Sequence, residues 1–418
     1  MIALEHPLKI DKATSAILTG VICWTVLFLG QTTIFSFHVE SHYMEEVLST
    51  HLGEIAQILF FLMGAMAIVE LIDSHDGFEV VTSRITTTNK VKLLWIISIV
   101  TFFFSAVLDN LTTAIVMAAL LKKLMAKKED LWYFGGIVII AANAGGAWSP
   151  IGDVTTIMLW NGGQVSAGNI VTNVFLPSII CLLLPLLIIT FTKKGVIERP
   201  LVVENEDSGA YDVTKFEQLL IFTLGVLGLL FVPIFKNLTH LPPFMGMLSS
   251  LGVMWVVTDI IHRKKPTEHK HQLSVVGVIR KVDTPSVLFF LGVLLAVASL
   301  QTAGHLDQLA ILMDETFGNI YVINVLIGLL SSIVDNVPLV AGAIGMYPLT
   351  TYAQDHTFWE LLAYCAGTGG SVLIIGSAAG VAIMGLLKID FLWYLKKISW
   401  LAIIGYLAGV MTYYLIHM

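Results

Sequence analysis

"SAVLDNLTTA", Ser105 to Ala114, places an acid, an amide and two threonines where an apolar chain should continue. Leu93 to Leu108 leads into it as a run of apolar residues, and a second apolar run follows. The pattern returns in "SSIVDNVPLVAG", Ser331 to Gly342, around Asp335 and Asn336. Ionisable groups are costly in hydrocarbon and persist where they bind something or face a polar cavity.

The rest of the chain supplies the hydrocarbon setting. Its 418 residues are 56% hydrophobic and 13% charged, with a mean hydropathy of +0.84. A soluble domain carries roughly 25% charged residues. Apolar runs of membrane-spanning length recur from end to end, which makes this an all-α polytopic membrane protein embedded in a lipid bilayer. The net charge is −7, and no basic tract suggests a nucleic-acid partner. Cys23, Cys181 and Cys365 lie singly inside apolar segments and form neither a disulfide framework nor a zinc pattern. The first apolar run is too long for a signal-peptide core and is expected to be a true span.

Nine spans are expected, near 14–37, 52–72, 132–160, 168–192, 216–235, 244–262, 284–302, 358–387 and 398–416. The two DN stretches, 91–121 and 320–350, are divided at their centres into arms of about 11 to 18 residues. An arm that short does not cross a bilayer at 1.5 Å per residue, so both stretches are read as re-entrant hairpins with DN at the tip. The charges sort accordingly. With the N-terminus cytoplasmic and the C-terminus outside, 22 of the 23 Lys and Arg residues fall inside and only Lys236 falls outside; two full crossings per hairpin would sort equally well, and only arm length argues against that.

The halves also overlay. "LFFLMGAMAIVE" (Leu59 to Glu70) matches "LFFLGVLLAVAS" (Leu288 to Ser299) at an offset of 229. The DN pairs match at 226, and "GGAWSPIGD" (Gly145 to Asp153) matches "GGSVLIIGS" (Gly369 to Ser377) at 224. An odd number of spans separates the two units, so the second is inverted relative to the first. Residues 1–196 form the first repeat, 197–215 an acidic cytoplasmic linker, and 216–418 an extra span plus the second repeat. Inverted repeats with broken helices are the pattern of secondary transporters, which bind their cargo near the midplane. The two hairpins would dip in from opposite faces and bring their tips together.

Each hairpin precedes a helix broken by glycine: "NAGGAWSPIGDVTT" (Asn143 to Thr156) and "GTGGSVLIIGSAAG" (Gly367 to Gly380). Gly and Pro free backbone polar groups, tolerated at this depth only inside protein or along a cavity. The predicted site therefore holds Asp109, Asn110, Thr112, Asn143, Asp153, Thr155, Thr156, Ser331, Asp335, Asn336, Thr368, Ser371 and Ser377. No Lys or Arg lies at the same depth. Oxygen ligands with net negative charge suit a hard cation such as Na⁺, held by Asp109, Asp153 and Asp335. Buried carboxylates as a class take up protons more readily than exposed ones, so H⁺ and cation can compete for one group. No cofactor is needed. Glu70, and more weakly Glu54, are candidate proton-path or gating residues near the ends of their span. "HVESH" (His38 to His42) and the histidines of "HRKKPTEHKHQ" (His262 to Gln272) read as solvated loops.

"DNLTTAIVMAALL", "NAGGAWSPIGDVTT", "DNVPLVAG" and "GTGGSVLIIGSAAG", in that order, resemble the NhaD-type sodium/proton antiporters of the ion-transporter superfamily. "GAMAIVELIDSHDGF" (Gly64 to Phe78) is similar to the same family's second-span region. The resemblance covers residues from about 50 to 390. It implies expulsion of Na⁺ or Li⁺ in exchange for H⁺ under salty or alkaline conditions, in a bacterial inner membrane or a plastid one. It also implies a homodimer with a scaffold and a moving domain. The family's functional positions fall on Asp109, Asn110, Asn143, Asp153, Thr155, Thr156, Asp335 and Asn336, then Ser331 and Ser371, with Lys281 as a possible functional lysine. Anion-carrying relatives have Ser-Asn-Thr at the hairpin tips, where this chain has Asp-Asn.

The transport alternatives are a sodium-coupled anion symporter and an arsenite-type exporter of the same superfamily. Acids at both tips oppose an anion, and no cysteine is near the tips. An intramembrane aspartyl protease needs Gly-x-Gly-Asp, and "SPIGD" (Ser149 to Asp153) has proline at the first glycine. The chain is therefore not read as an enzyme. A plain channel fits less well than alternating access at two facing tips.

Overall fold

The computed structural model describes residues 12–34, 41–192, 195–200, 213–264 and 273–418. The extreme N-terminus, the start of "HVESH", the centre of the acidic linker and the basic-loop histidines beyond His262 lie outside the described residues.

Within them the chain is helical. In order the helices are α1 (Lys12–Ile34), α2 (Ser41–Ser74), α3 (Glu79–Thr82), α4 (Lys90–Leu108), α5 (Asn110–Leu124), α6 (Lys128–Ala147), α7 (Val154–Asn161), α8 (Ala167–Thr192), α9 (Lys215–Thr239) and α10 (Pro243–Ile261). There follow α11 (Val275–Ile279), α12 (Thr284–Thr302), α13 (His305–Phe317), α14 (Ile320–Leu330), α15 (Asn336–Met346), α16 (Thr357–Gly369), α17 (Ala378–Leu387), α18 (Phe391–Lys397) and α19 (Ser399–Ile416). Among the described residues, α1, α2, α4, α8, α9, α10, α12 and α19 are continuous and long and apolar enough to cross a membrane. The expected broken spans are α6 with α7 and α16 with α17, interrupted at 148–153 and 370–377.

Three expectations need correction. α4 has 19 residues, enough to cross by itself, so arm length does not establish the first hairpin. α2 has 34 residues and starts at Ser41, well before the expected 52, because its polar first turns extend past the apolar stretch. α13 lies between the expected span 284–302 and the stretch 320–350, where the sequence predicts no element. It is amphipathic, with few apolar side chains buried, and turns 116° into α14.

Each of the helix pairs α4–α5 and α14–α15 nevertheless turns back on itself, as the position of its ends shows. Lys90 N donates to Gly195 O (3.0 Å), Ile197 N to Thr88 O (2.8 Å), and Ala126 N to Glu198 O (2.9 Å). The start of α4 and the end of α5 thus close on the same short segment after α8. In the second half, Tyr321 at the start of α14 stacks edge-on with Tyr414 (5.1 Å), and Tyr413 donates to Glu360 (2.5 Å). Tyr347 at the end of α15 packs on Phe358 (4.8 Å). Both ends of α14–α15 therefore lie level with the start of α16.

The broken helices run antiparallel. Trp132 near the start of α6 donates to Leu387 O at the end of α17 (3.1 Å). At the opposite face, Asp355 N before α16 donates to Gln164 O after α7 (2.8 Å). The hairpins hence open on opposite faces, and the repeats run in opposite senses. Their contacts correspond closely: Ser105 Oγ donates to Ala142 O (2.5 Å), and Ser331 Oγ to Ala366 O (2.9 Å). Gly145 lies against the Phe102 carbonyl and Gly369 against the Gly328 carbonyl, each too close for a β-carbon. Glycine at these positions lets each broken helix press on the first arm of its own hairpin.

Candidate functional site

Four helices begin at the middle of the molecule. α5 is capped by Asp109, whose Oδ1 accepts from Thr112 N (2.8 Å) and Oδ2 from Thr112 Oγ1 (3.0 Å). α7 is capped by Asp153, whose Oδ1 accepts from Thr155 N (2.9 Å) and Thr155 Oγ1 (2.8 Å). α15 is capped by Asp335, accepting from Val337 N (3.2 Å), and α17 by Ser377, accepting from Gly380 N (3.1 Å). Short acceptor side chains are the preferred helix caps, which explains these residue types at these breaks. They serve the break and the site together.

The four starts are tied to one another. Asn110 Nδ2, on the first residue of α5, donates to Asp153 Oδ2 (2.6 Å) and reaches Asn143 Oδ1 (3.2 Å). Asn336 Nδ2, on the first residue of α15, lies 3.4 and 3.5 Å from the two oxygens of Asp153. Asn143 Nδ2 lies 2.9 Å from Ser371 Oγ and 2.9 Å from Ser377 Oγ. Asp153 thus sits between the two DN tips, and Asn143 joins them to the second broken helix. Asp109 holds a backbone φ of +80°, rare for a residue with a β-carbon. Such strain persists where surrounding structure enforces it, commonly at functional sites.

Each helix start carries roughly +0.5 charge, so four together oppose three carboxylates with about +2. With all three acids ionised the balance would be about one negative charge, which one monovalent cation or one proton would offset. A small cavity of about 40 Å³ reaches Asp109, Asn110, Asp153, Asp335 and Asn336, walled by Phe61, Met66, Met247 and Phe290. One water needs ~10–15 Å³ by this measure, so the space suits a small ion with a water or two. These apolar walls come from α2, α10 and α12, and nothing in their local sequence marks them as part of a site.

The other expected residues separate. Thr156 Oγ1 donates to the Asp153 carbonyl (2.8 Å), one turn from the cavity. Ser331 is spent on the Ala366 carbonyl, and Thr368 on the Tyr364 carbonyl (2.6 Å). Both pin backbone, and neither lines the small cavity. Among the described residues no three acidic, His or Cys side chains converge as a metal cluster, so Asp109, Asp153 and Asp335 line the site without meeting at one point. Glu70 and Lys281, singled out separately, pair at 3.6 Å, and Lys281 also donates to Ser74 (3.0 Å) at the lysine-rich face. Glu54 lies 3.6 Å from His51 and lines a separate cavity of about 470 Å³ with Gln57, Asn161 and Gln301. That cavity reaches Met158 and Ala341, one turn or two along the helices that Asp153 and Asp335 cap.

Inverted repeats, opposed hairpins and a polar site among helix starts define a secondary membrane carrier. Residues 1–364 match the family model described as citrate transporter, and the chain belongs to that family. It is 45% identical to sodium/proton antiporter 1 and to sodium/proton antiporter 2 of Arabidopsis thaliana, over its whole length and 70% and 97% of theirs. It is 29% identical to the Na⁺/H⁺ antiporter NhaD of a Vibrio cholerae strain, over its whole length and 89% of that protein. These relatives agree with the NhaD-type resemblance of the motifs. Two of the three are plant proteins, so a bacterial membrane is not singled out.

Proposed function

We propose that the chain exchanges Na⁺ or Li⁺ for H⁺ by alternating access, with the two ions competing for the carboxylates at Asp109, Asp153 and Asp335. The observation that carries this is the fate of the helix starts. An anion carrier would aim them, uncapped, at its cargo. Here three of the four are already satisfied by the protein's own acids. With those acids ionised, what is left is a pocket short of about one positive charge, lined by oxygen.

Asp153 is the central group in this reading. Asn110 and Asn336 deliver an amide from each hairpin, and Thr155 supplies a hydroxyl and a backbone N–H. Protonation of Asp153 would release a bound cation, and cation binding would displace the proton. The citrate of the family description is far too large for the space beside Asp153 in this conformation. The reading extends to an N-terminus on the lysine-rich, cytoplasmic side and to a homodimer.

The test is ion exchange in everted vesicles from cells without other antiporters. A respiration-driven pH gradient is followed while Na⁺, Li⁺, K⁺ or citrate is added, for wild type and for Asp109→Asn, Asp153→Asn and Asp335→Asn. Na⁺ or Li⁺ should collapse the gradient in wild type, Asp153→Asn should abolish the response, and citrate should do nothing. No response to any alkali cation between pH 6.5 and 9 would sink the proposal.

A further inference from the structure

Lys236 is the one basic residue that the charge pattern leaves on the outer side. It stands near the end of α9, half-buried. Its ammonium donates to the carbonyl of Trp160 (3.0 Å) and lies 4.7 Å from the centre of the Trp160 ring. Trp160 is 1% exposed, and its other side meets Phe61 edge-on (6.4 Å), a wall of the small cavity. A lysine placed only to reach the lipid headgroups would extend toward water. This one turns inward and is held by two contacts.

Trp160 belongs to the last turn of α7, the eight-residue helix that Asp153 caps. Such a helix is about 12 Å long, so the lysine sits one short rod away from the site. The rod is attached to the chain through glycine at both ends, Gly152 before it and Gly162 and Gly163 after it. Gly163 takes a φ of +81°. The rod is buried and packed by α2, α15 and α16, and at its last turn Lys236 adds a polar hold from α9 that fixes its position along its axis. The carbonyl end of a helix attracts a cation, and an indole face does too.

We propose that Lys236 is a positioning residue of the cation site: by clamping the last turn of α7 to α9, it holds Asp153 between Asn110 and Asn336. The proposal rests on the exchange reading above. It makes a prediction opposite in sign to simple electrostatics. If Lys236 acted only through its charge, removing that charge would favour a nearby cation and lower the half-saturating Na⁺ concentration. If it positions Asp153, removing it loosens the ligand set and raises that concentration, because small misplacements in a site cost large factors.

The experiment uses purified full-length protein in proteoliposomes, with Na⁺-driven proton movement measured for wild type, Lys236→Met, Lys236→Arg and Trp160→Leu. Lys236→Met should raise the half-saturating Na⁺ concentration about 5- to 50-fold while the maximal rate stays within about twofold. Lys236→Arg, which keeps both contacts, should remain near wild type. Trp160→Leu keeps the lysine and the carbonyl but loses the ring, and should fall between. It carries the test if Lys236→Met does not fold. Active wild type with unchanged or lower half-saturating Na⁺ in Lys236→Met or Trp160→Leu overturns the positioning role alone. Inactive wild type overturns it together with the exchange reading.

Discussion

Asn143 makes the connection on which the site's two halves depend. Its amide nitrogen serves Ser371 and Ser377 of the second broken helix, and its oxygen receives Asn110 from the first hairpin. It is fully buried, away from bulk solvent. Asn143→Ala takes one partner from each of Asn110, Ser371 and Ser377, but Asn110 keeps Asp153 and Ser377 keeps Gly380, so what is lost is chiefly the link between the two halves of the site. The expected result is a tenfold or greater loss of cation-driven exchange in vesicles, with expression and detergent stability less affected. Asn143→Ala with wild-type exchange would remove the residue from the site. The residue types were legible in sequence because Asp and Asn at the centre of apolar runs have few uses besides a polar site. Which acid became central was not. Asp153 looked like one ligand among three, and its place between both tips exists only once the hairpins are folded against each other. The hydroxyls were the least legible. Ser331 and Thr368 sit in the same motifs as Ser371, but nearby carbonyls claim the first two, and local sequence does not encode that competition.

Glycine decides which helices can approach which. An added β-carbon at Gly145 overlaps the Phe102 carbonyl, and one at Gly369 overlaps the Gly328 carbonyl. Backbone cannot yield there without moving a hairpin arm. Gly145→Ala and Gly369→Ala should each lower stability, by about 1–3 kcal/mol as for other overpacked interiors. Gly385 in α17 is the control. An added β-carbon there meets nothing within 4 Å, and alanine is the better helix former, so Gly385→Ala should be neutral or stabilising. Thermal midpoints in detergent for the three variants check the contrast. Equal midpoints would mean that close arm-to-helix contact does not limit stability. The glycine breaks and the repeat offsets were readable because each half writes the same pattern. The return of α4–α5 to its own face was readable from the charge pattern, whereas the depth of its tip was not readable from arm length, because α4 is long enough to cross. The chain turns at Asp109, and residues 195–200 clasp the two ends of the helix pair together. The clasp is reinforced outside the membrane by Lys127 and Glu198 at 2.5 Å. The hydrogen bond from Lys127 to Glu198 and the carboxylate's charge hold the ammonium above its ordinary range. The pair is therefore intact at neutral and moderately alkaline pH and loosens only as pH rises beyond the usual lysine range.

Across the whole molecule the two faces are unequal. On the side of Glu54 and Gln301 the 470 Å³ cavity leads toward the helices that Asp153 and Asp335 cap. On the lysine-rich side α17 packs against α5, and the small cavity at the site reaches no further than Ser286 near the start of α12. Alternating access requires this inequality to reverse, with the site exposed to one face at a time. Single cysteines at Gln301 and at Lys123, in a protein whose Cys23, Cys181 and Cys365 are replaced, measure it with a membrane-impermeant thiol reagent. Gln301→Cys should label only from the outside of intact cells, and Lys123→Cys only in everted vesicles, because the antiparallel repeats place them on opposite faces. Gln301→Cys labelling should also slow when the added ions favour the opposite conformation, since its cavity closes as the other side opens. Lys123 lies outside that cavity and should not respond. Both cysteines reacting from one side would contradict the inverted arrangement, whereas opposite-sided labelling that never responds to Na⁺ or pH would leave the inversion standing and remove the moving gate. The charge pattern predicted the sidedness of both positions. The cavity itself was beyond it, because α2, α7, α12 and α15 come from four distant parts of the chain and contribute mostly amides and apolar side chains with no motif of their own.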